Sequence, residues 1–152
     1  MCVMTANLIY ESDFYHWTVD QVANLRLGNL GNLDLENLAE EIESLGNQQR
    51  SELENRLAVL LGHLLKWDLQ PDLRGKSWRS TIKEQRRQIQ RLIQKNPSLK
   101  SYLDEAISEG YESALDLVVR ETPLDYQDLP HVCPYAIAQI FDNNFPIGVE
   151  MG

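Results

Sequence analysis

Apolar side chains return every three or four residues along almost the whole chain, the spacing that stacks them on one face of an α-helix. The first such stretch starts at Ser12 or Asp13, either a good N-cap, and ends near Gly28; Val19, Val22, Tyr15 and the stem of Arg26 line one face. Gly28-Asn29-Leu30-Gly31-Asn32 is a cluster of breakers and reads as a loop. Asp34 then caps a second helix on which Leu35, Leu38, Ile42 and Leu45 recur. Leu53, Leu57, Leu60, Leu64 and Trp67 stay near the same face, so the periodicity favours one long, bent helix from Leu35 to Trp67. Gly46 is its weak point, disfavoured in a helix interior by about 1 kcal/mol, with a kink or short break there as the alternative.

Gln70-Pro71-Asp72-Leu73-Arg74-Gly75 reads as a turn. Ser77 caps a third helix with the stripe Trp78, Ile82, Gln85, Ile89, Leu92 and Ile93. Asn96-Pro97-Ser98 ends it and opens a fourth, with Leu99, Leu103, Ile107, Tyr111, Ala114, Leu115 and Val118 in register. Glu121-Thr122-Pro123 stops that helix, and residues Pro134 to Asp142 make a short fifth. No β-branched run alternates between turns. The pattern predicts an all-α fold, a helical bundle of four main helices plus a short C-terminal one. The 152 residues suit a single helical domain, with residues 1–10 and 147–152 expected to fray.

Charge changes this picture most. There are 14 Lys and Arg against 23 Asp and Glu, a net charge of −9 and a pI near 4.7. A chain so acidic is repelled by phosphate backbones and anionic lipid, which disfavours a general nucleic-acid or membrane binder. The segment Arg74–Lys100 runs the other way. It holds nine bases and one acid, Glu84, or 9 − 1 = +8, so the rest of the chain carries −9 − 8 = −17. On the third helix Arg79, Lys83, Arg86, Arg87 and Arg91 flank or oppose the apolar stripe. Such a face binds nucleic acid or lipid, docks an acidic partner protein, or neutralises acids of its own fold. Glu36, Glu40, Glu41 and Glu43 on the second helix, and Asp104, Glu105, Glu109, Glu112 and Asp116 on the fourth, favour the last. Trp78 is the lone aromatic there and lies on the core stripe, so base stacking lacks its platform.

The remaining chemistry is sparse. No segment has the length and apolarity of a membrane span, no signal peptide is evident, and Cys2 and Cys133 form no CxxC or disulfide framework, so a reducing cytoplasm is expected. Asp13 and His16 make one weak metal-ligand pair and His131-x-Cys133 another, neither completed to four ligands, so no metal and no cofactor is expected. His63 and Trp67 share a face with Leu60 and Leu64 beside the small Gly62. The bland account is a hydrogen-bonded imidazole at the core edge; the sharper one is a ligand pocket formed by His63, Trp67, Trp78 and Glu41. No nucleophile–base pair or phosphate-binding glycine loop argues for an enzyme.

The string Leu33-Asp34-Leu35-Glu36-Asn37-Leu38-Ala39-Glu40-Glu41-Ile42-Glu43-Ser44-Leu45-Gly46 resembles the signature of a bacterial family known as domain of unknown function twenty-nine. Asp13-Phe14-Tyr15-His16-Trp17, His63-Leu64-Leu65-Lys66-Trp67, Ser77-Trp78-Arg79-Ser80-Thr81-Ile82 and Cys133-Pro134-Tyr135 resemble further parts of it, with tyrosine at 135 where the family usually has tryptophan. The likeness runs from about Tyr10 to Pro146. It implies an α-helical fold and a bacterial, often photosynthetic, source, and it implies no activity. The signature's polar residues Asn37, Glu40, Glu43, Lys66 and Arg79 read either as a binding face or as a buried network that fixes helix register. Taken together these features rank a non-catalytic interaction or self-associating module first, with a protein partner or a second copy as its target. A small-ligand protein or enzyme using the His63/Trp67 region comes second, and a nucleic-acid-binding regulator using the third helix comes last.

Overall fold

Two caps bound the first helix. Asp13 accepts the His16 backbone N–H through its carboxylate at 3.1 Å, and Gly28 takes the left-handed conformation (φ 74°) that lets its N–H return to the helix end. Between them lies α1, Phe14–Leu27. The computed structural model describes residues 8–149, which are mostly helical with no strand among them. After a 3-10 turn at Leu30–Asn32, α2 runs from Leu35 to Leu69 as one 35-residue helix, unbroken at Gly46. Then follow α3, Lys76–Lys95; a 3-10 segment Pro97–Tyr102; α4, Leu103–Glu121; and α5, Ile137–Ile140.

Several boundaries move from those the sequence suggests. Ser77 does not cap α3; Gly75 stands at that position without a side-chain cap, and Ser77 lies within the first turn. The fourth helix opens as 3-10 geometry at Pro97 and becomes α only at Leu103. The fifth is four residues long, not nine. Residues 8–12 are helical and not frayed, and Val149 is buried in a turn. The fraying expected of residues 1–7 and 150–152 lies outside the described residues, as does Cys2.

The chain forms two compact units, residues 1–48 and 49–152. In the second, residues 49–69 of α2 pack with α3, α4, α5 and the last turn around Leu53, Leu57, Leu60, Leu61, Ile82 and Ile89, each inaccessible to solvent. The predicted stripes of α3 and α4 face this core. Gly110 on α4 allows the closest approach: a Cβ there would lie 3.0 Å from the Glu54 carbonyl oxygen and 3.1 Å from the Leu57 Cβ.

The first unit is built differently. Its described residues bury only two apolar side chains, Trp17 and Leu33, alongside three polar ones, Gln21, Asp34 and Asn37. Asp34 is the hub. Its carboxylate accepts the Trp17 indole N–H at 3.0 Å and the Asn37 amide at 2.8 Å, and its own backbone N–H donates to Gln21 Oε1 at 2.8 Å. Tyr10 and Phe14 add edge and stacked contacts to Trp17 at 4.8 and 5.6 Å between ring centres. The face predicted from Val19, Val22, Tyr15 and Arg26 does exist, but it is the outward one. Tyr15 is 78% exposed, and the helix packs through Trp17 and Gln21 instead.

Candidate functional site

The basic helix separates its two faces almost cleanly. Ile82, Ile89 and Leu92 are buried, whereas Lys76, Lys83, Arg87 and Arg91 are exposed and Arg79 is half-exposed. Arg86 is the correction to the predicted cationic face. It sits at the border between the stripes and turns inward, 1% exposed, where Nε donates to the Ile140 carbonyl at 2.7 Å and Nη2 to that of Gln139 at 3.2 Å. It ties the end of α5 to α3. Burial lowers its guanidinium pKa to about 10, and its Nη1 finds no partner among the described residues.

The outward cations also decide between readings of this face. Among the described residues the ion pairs are His16–Asp20, Arg50–Glu105, Arg56–Glu52 and Lys66–Glu121. None uses Arg79, Lys83, Arg87 or Arg91. Among the described residues, then, none of these four cations is held in a direct ion pair with an acid of its own fold. A concavity of about 330 Å³ lies along it, lined by Lys76, Arg79, Ser80, Lys83, Glu84, Arg87 and Val149.

The predicted group of His63, Trp67, Trp78 and Glu41 is divided between the two units, with the first three in the second. Glu41 belongs to the first unit, where it accepts the Tyr10 hydroxyl. In the second unit Trp67 is a core residue, 3% exposed, with the Arg74 guanidinium 5.5 Å from its ring and its indole N–H without a partner among the described residues. His63 Nδ1 donates to the Val59 carbonyl of its own helix at 2.8 Å. Next to it the buried Lys66 ammonium donates to Glu121 at 2.9 Å and lies 5.7 Å from the Trp78 ring. The signature's polar residues thus divide: Asn37 and Lys66 are internal, while Glu40, Glu43 and Arg79 reach solvent.

His63 and its neighbours give a pH signature. Burial holds the imidazole below its ordinary value of 6.5, and the Lys66 cation pushes the same way. The unfolded chain then binds a proton before the folded one as pH falls, so stability declines below about pH 6.5. Glu121, held below its ordinary 4.5 chiefly by the Lys66 hydrogen bond, contributes stability above that value and loses it only on further acidification. Urea midpoints at about pH 7.5 and about pH 5 are expected to differ more in the wild type than in His63→Gln. Parallel pH profiles would remove His63 as the cause.

Elsewhere, His16 Nε2 lies 3.4 Å from Asp20, and Cys133 Sγ–H donates weakly to the Tyr135 carbonyl, with burial raising the thiol pKa. His131 is exposed. Among the described residues no group of three His, Cys, Asp or Glu side chains converges, and no helix is long and apolar enough to cross a membrane. The Trp17–Asp34–Gln21 network has a partial sequence signal in the Asp34 N-cap; nothing local marks Gln21 or Val149 as partners. Among known proteins, the family model described as Domain of unknown function DUF29 matches residues 9–146. No curated protein and no solved structure matches the chain.

Proposed function

The chain belongs to the DUF29 family, a membership that brings no activity with it, and we propose that it works as a non-catalytic interaction module that pairs with a second copy through the first unit. One observation carries this reading: the first unit buries two apolar side chains and leaves eleven large ones exposed, from Leu8 to Leu45, of the seventeen such residues in the described chain. At roughly 100 Å² apiece that is about 1,000 Å² of apolar surface, against ~800 Å² per partner in a standard interface. Monomers rarely leave patches beyond a few hundred Å² to water.

The occupant follows from the arrangement of charge. On α2 the exposed Leu35, Ile42 and Leu45 share one stripe, and Glu36, Glu40 and Glu43 project from the opposite side of the helix. On α1 the Tyr15, Val19 and Val22 stripe likewise carries no acid. The unit holds eight acids and one base. The base, Arg26, shares the α1 face through its stem; otherwise the apolar stripes are uncharged and can be buried against identical stripes. Two helical pairs make the smallest bundle that encloses a core of its own.

Light scattering coupled to gel filtration tests the reading. The wild type at about 50 µM is expected to run at twice 17.5 kDa, and Val22→Glu with Ile42→Glu at 17.5 kDa with unchanged helicity. Both positions are exposed, so the substitutions spare the fold of the single chain. A monomeric wild type, or a dimer indifferent to both substitutions, would overturn self-association.

A further inference from the structure

The concavity on α3 belongs to the second unit, and its chemistry points to a ligand of its own. Lys76, Arg79, Lys83 and Arg87 line it from successive turns of one helix, the last three at four-residue steps, about 6 Å apart along the axis. Among the described residues four cations line it beside one acid, Glu84, and none of the four has an ion-pair partner there. Like charges this close repel, so the fold keeps them there at an electrostatic cost that an anion would relieve. Gly75 caps α3 without a side chain, so the first-turn N–H groups beside Lys76 add partial positive charge at the same end.

The shape and surroundings narrow the class of anion. A volume of about 330 Å³, with the buried Val149 as an apolar floor, matches a small molecule. A nucleic-acid strand would want exposed aromatics to stack on; the aromatic of this helix, Trp78, is half-buried among the core stripe. Arg forks and Lys ammoniums at turn spacing suit an anion with several phosphate groups in a row. We propose that this concavity binds a small, multiply phosphorylated anion, a free polyphosphate or a phosphorylated metabolite.

Isothermal titration of the full chain with inorganic tripolyphosphate is the test. A saturable one-to-one isotherm is expected, weakened about tenfold or more by Arg79→Gln with Lys83→Gln, and barely changed by Arg91→Gln. Arg91 lies on the same helix outside the concavity, so it removes charge without removing the site. Lys76→Gln with Arg87→Gln provides a second route if the first pair disturbs folding as read by circular dichroism. ATP in place of tripolyphosphate separates the two sources: equal affinity assigns the site to the phosphates alone, and tighter binding to a phosphorylated metabolite. Absence of binding, equal weakening by Arg91→Gln, or preference for poly-glutamate over tripolyphosphate would each overturn the proposal.

Discussion

Replacing Gly110 with valine is expected to destabilise the second unit by about 3 kcal/mol and to lower its melting temperature by about 10 °C. The cause is the crossing of α4 over α2. Even a methyl at this position would stand 3.0 Å from the Glu54 carbonyl oxygen, 3.1 Å from the Leu57 Cβ and 3.3 Å from the Ala58 nitrogen. These are mostly backbone atoms of a helix whose Leu57 and Ala58 are themselves buried, so they cannot rotate aside. The helices must part, and the contacts among Leu53, Leu57, Ile107 and Ala114 loosen together. Gly46 provides the matched control: nothing lies within 4 Å of its Cβ direction, so Gly46→Ala should stabilise by about 1 kcal/mol through helix propensity. Thermal melts of the two variants should move in opposite directions. A Gly110→Val protein that melts with the wild type would show that the crossing yields.

The second large effect is expected at Asp34. Its carboxylate is 3% exposed and accepts from the Trp17 indole, the Asn37 amide and, at 3.4 Å, the Asn37 backbone N–H. Asp34→Ala leaves the buried indole N–H unpaired and removes the cap of α2. Together these amount to about 3 kcal/mol, a large fraction of what a unit with two buried apolar side chains can supply. Hydrogen exchange should therefore speed up by about two powers of ten at the amides of α1, with those of α3 unchanged. Equal acceleration in both would mean that the network supports the whole molecule. No acceleration in either would mean that the aromatic contacts of Tyr10, Phe14 and Trp17 suffice without it.

These two positions show what local pattern conveys and what it does not. Periodicity places α1 to α4 within a few residues, because each helix has one apolar face and strong breakers at its ends. It also finds the Val19/Val22 face of α1. It cannot tell that this face points outward, since an apolar stripe looks the same whether its partner is in the chain or absent. Arg86 fails for a related reason. It lies where the cationic and apolar stripes of α3 meet, and the carbonyls of Gln139 and Ile140, more than fifty residues away, draw it inward. Gly110 reads as a mild defect in a helix until the backbone of α2 is seen beside it. The concavity on α3 was legible as a basic face; its floor, Val149, comes from the last turn of the chain and no local signal announces it.

Four tyrosines, Tyr10, Tyr102, Tyr126 and Tyr135, hold carboxylates in place: those of Glu41, Glu54, Asp116 and Asp68. A phenol donates a hydrogen bond without cancelling the charge it anchors. The molecule thus organises acidic side chains while leaving their field intact, and random encounters between copies meet long-range repulsion. Because the acids sit away from the apolar stripes of α1 and α2, that repulsion sets a colloidal barrier against indiscriminate clumping and, on the pairing proposed above, leaves the aligned approach of two acid-free faces open. A chain that displays this much apolar surface can in this way stay dispersed without giving up the surface itself.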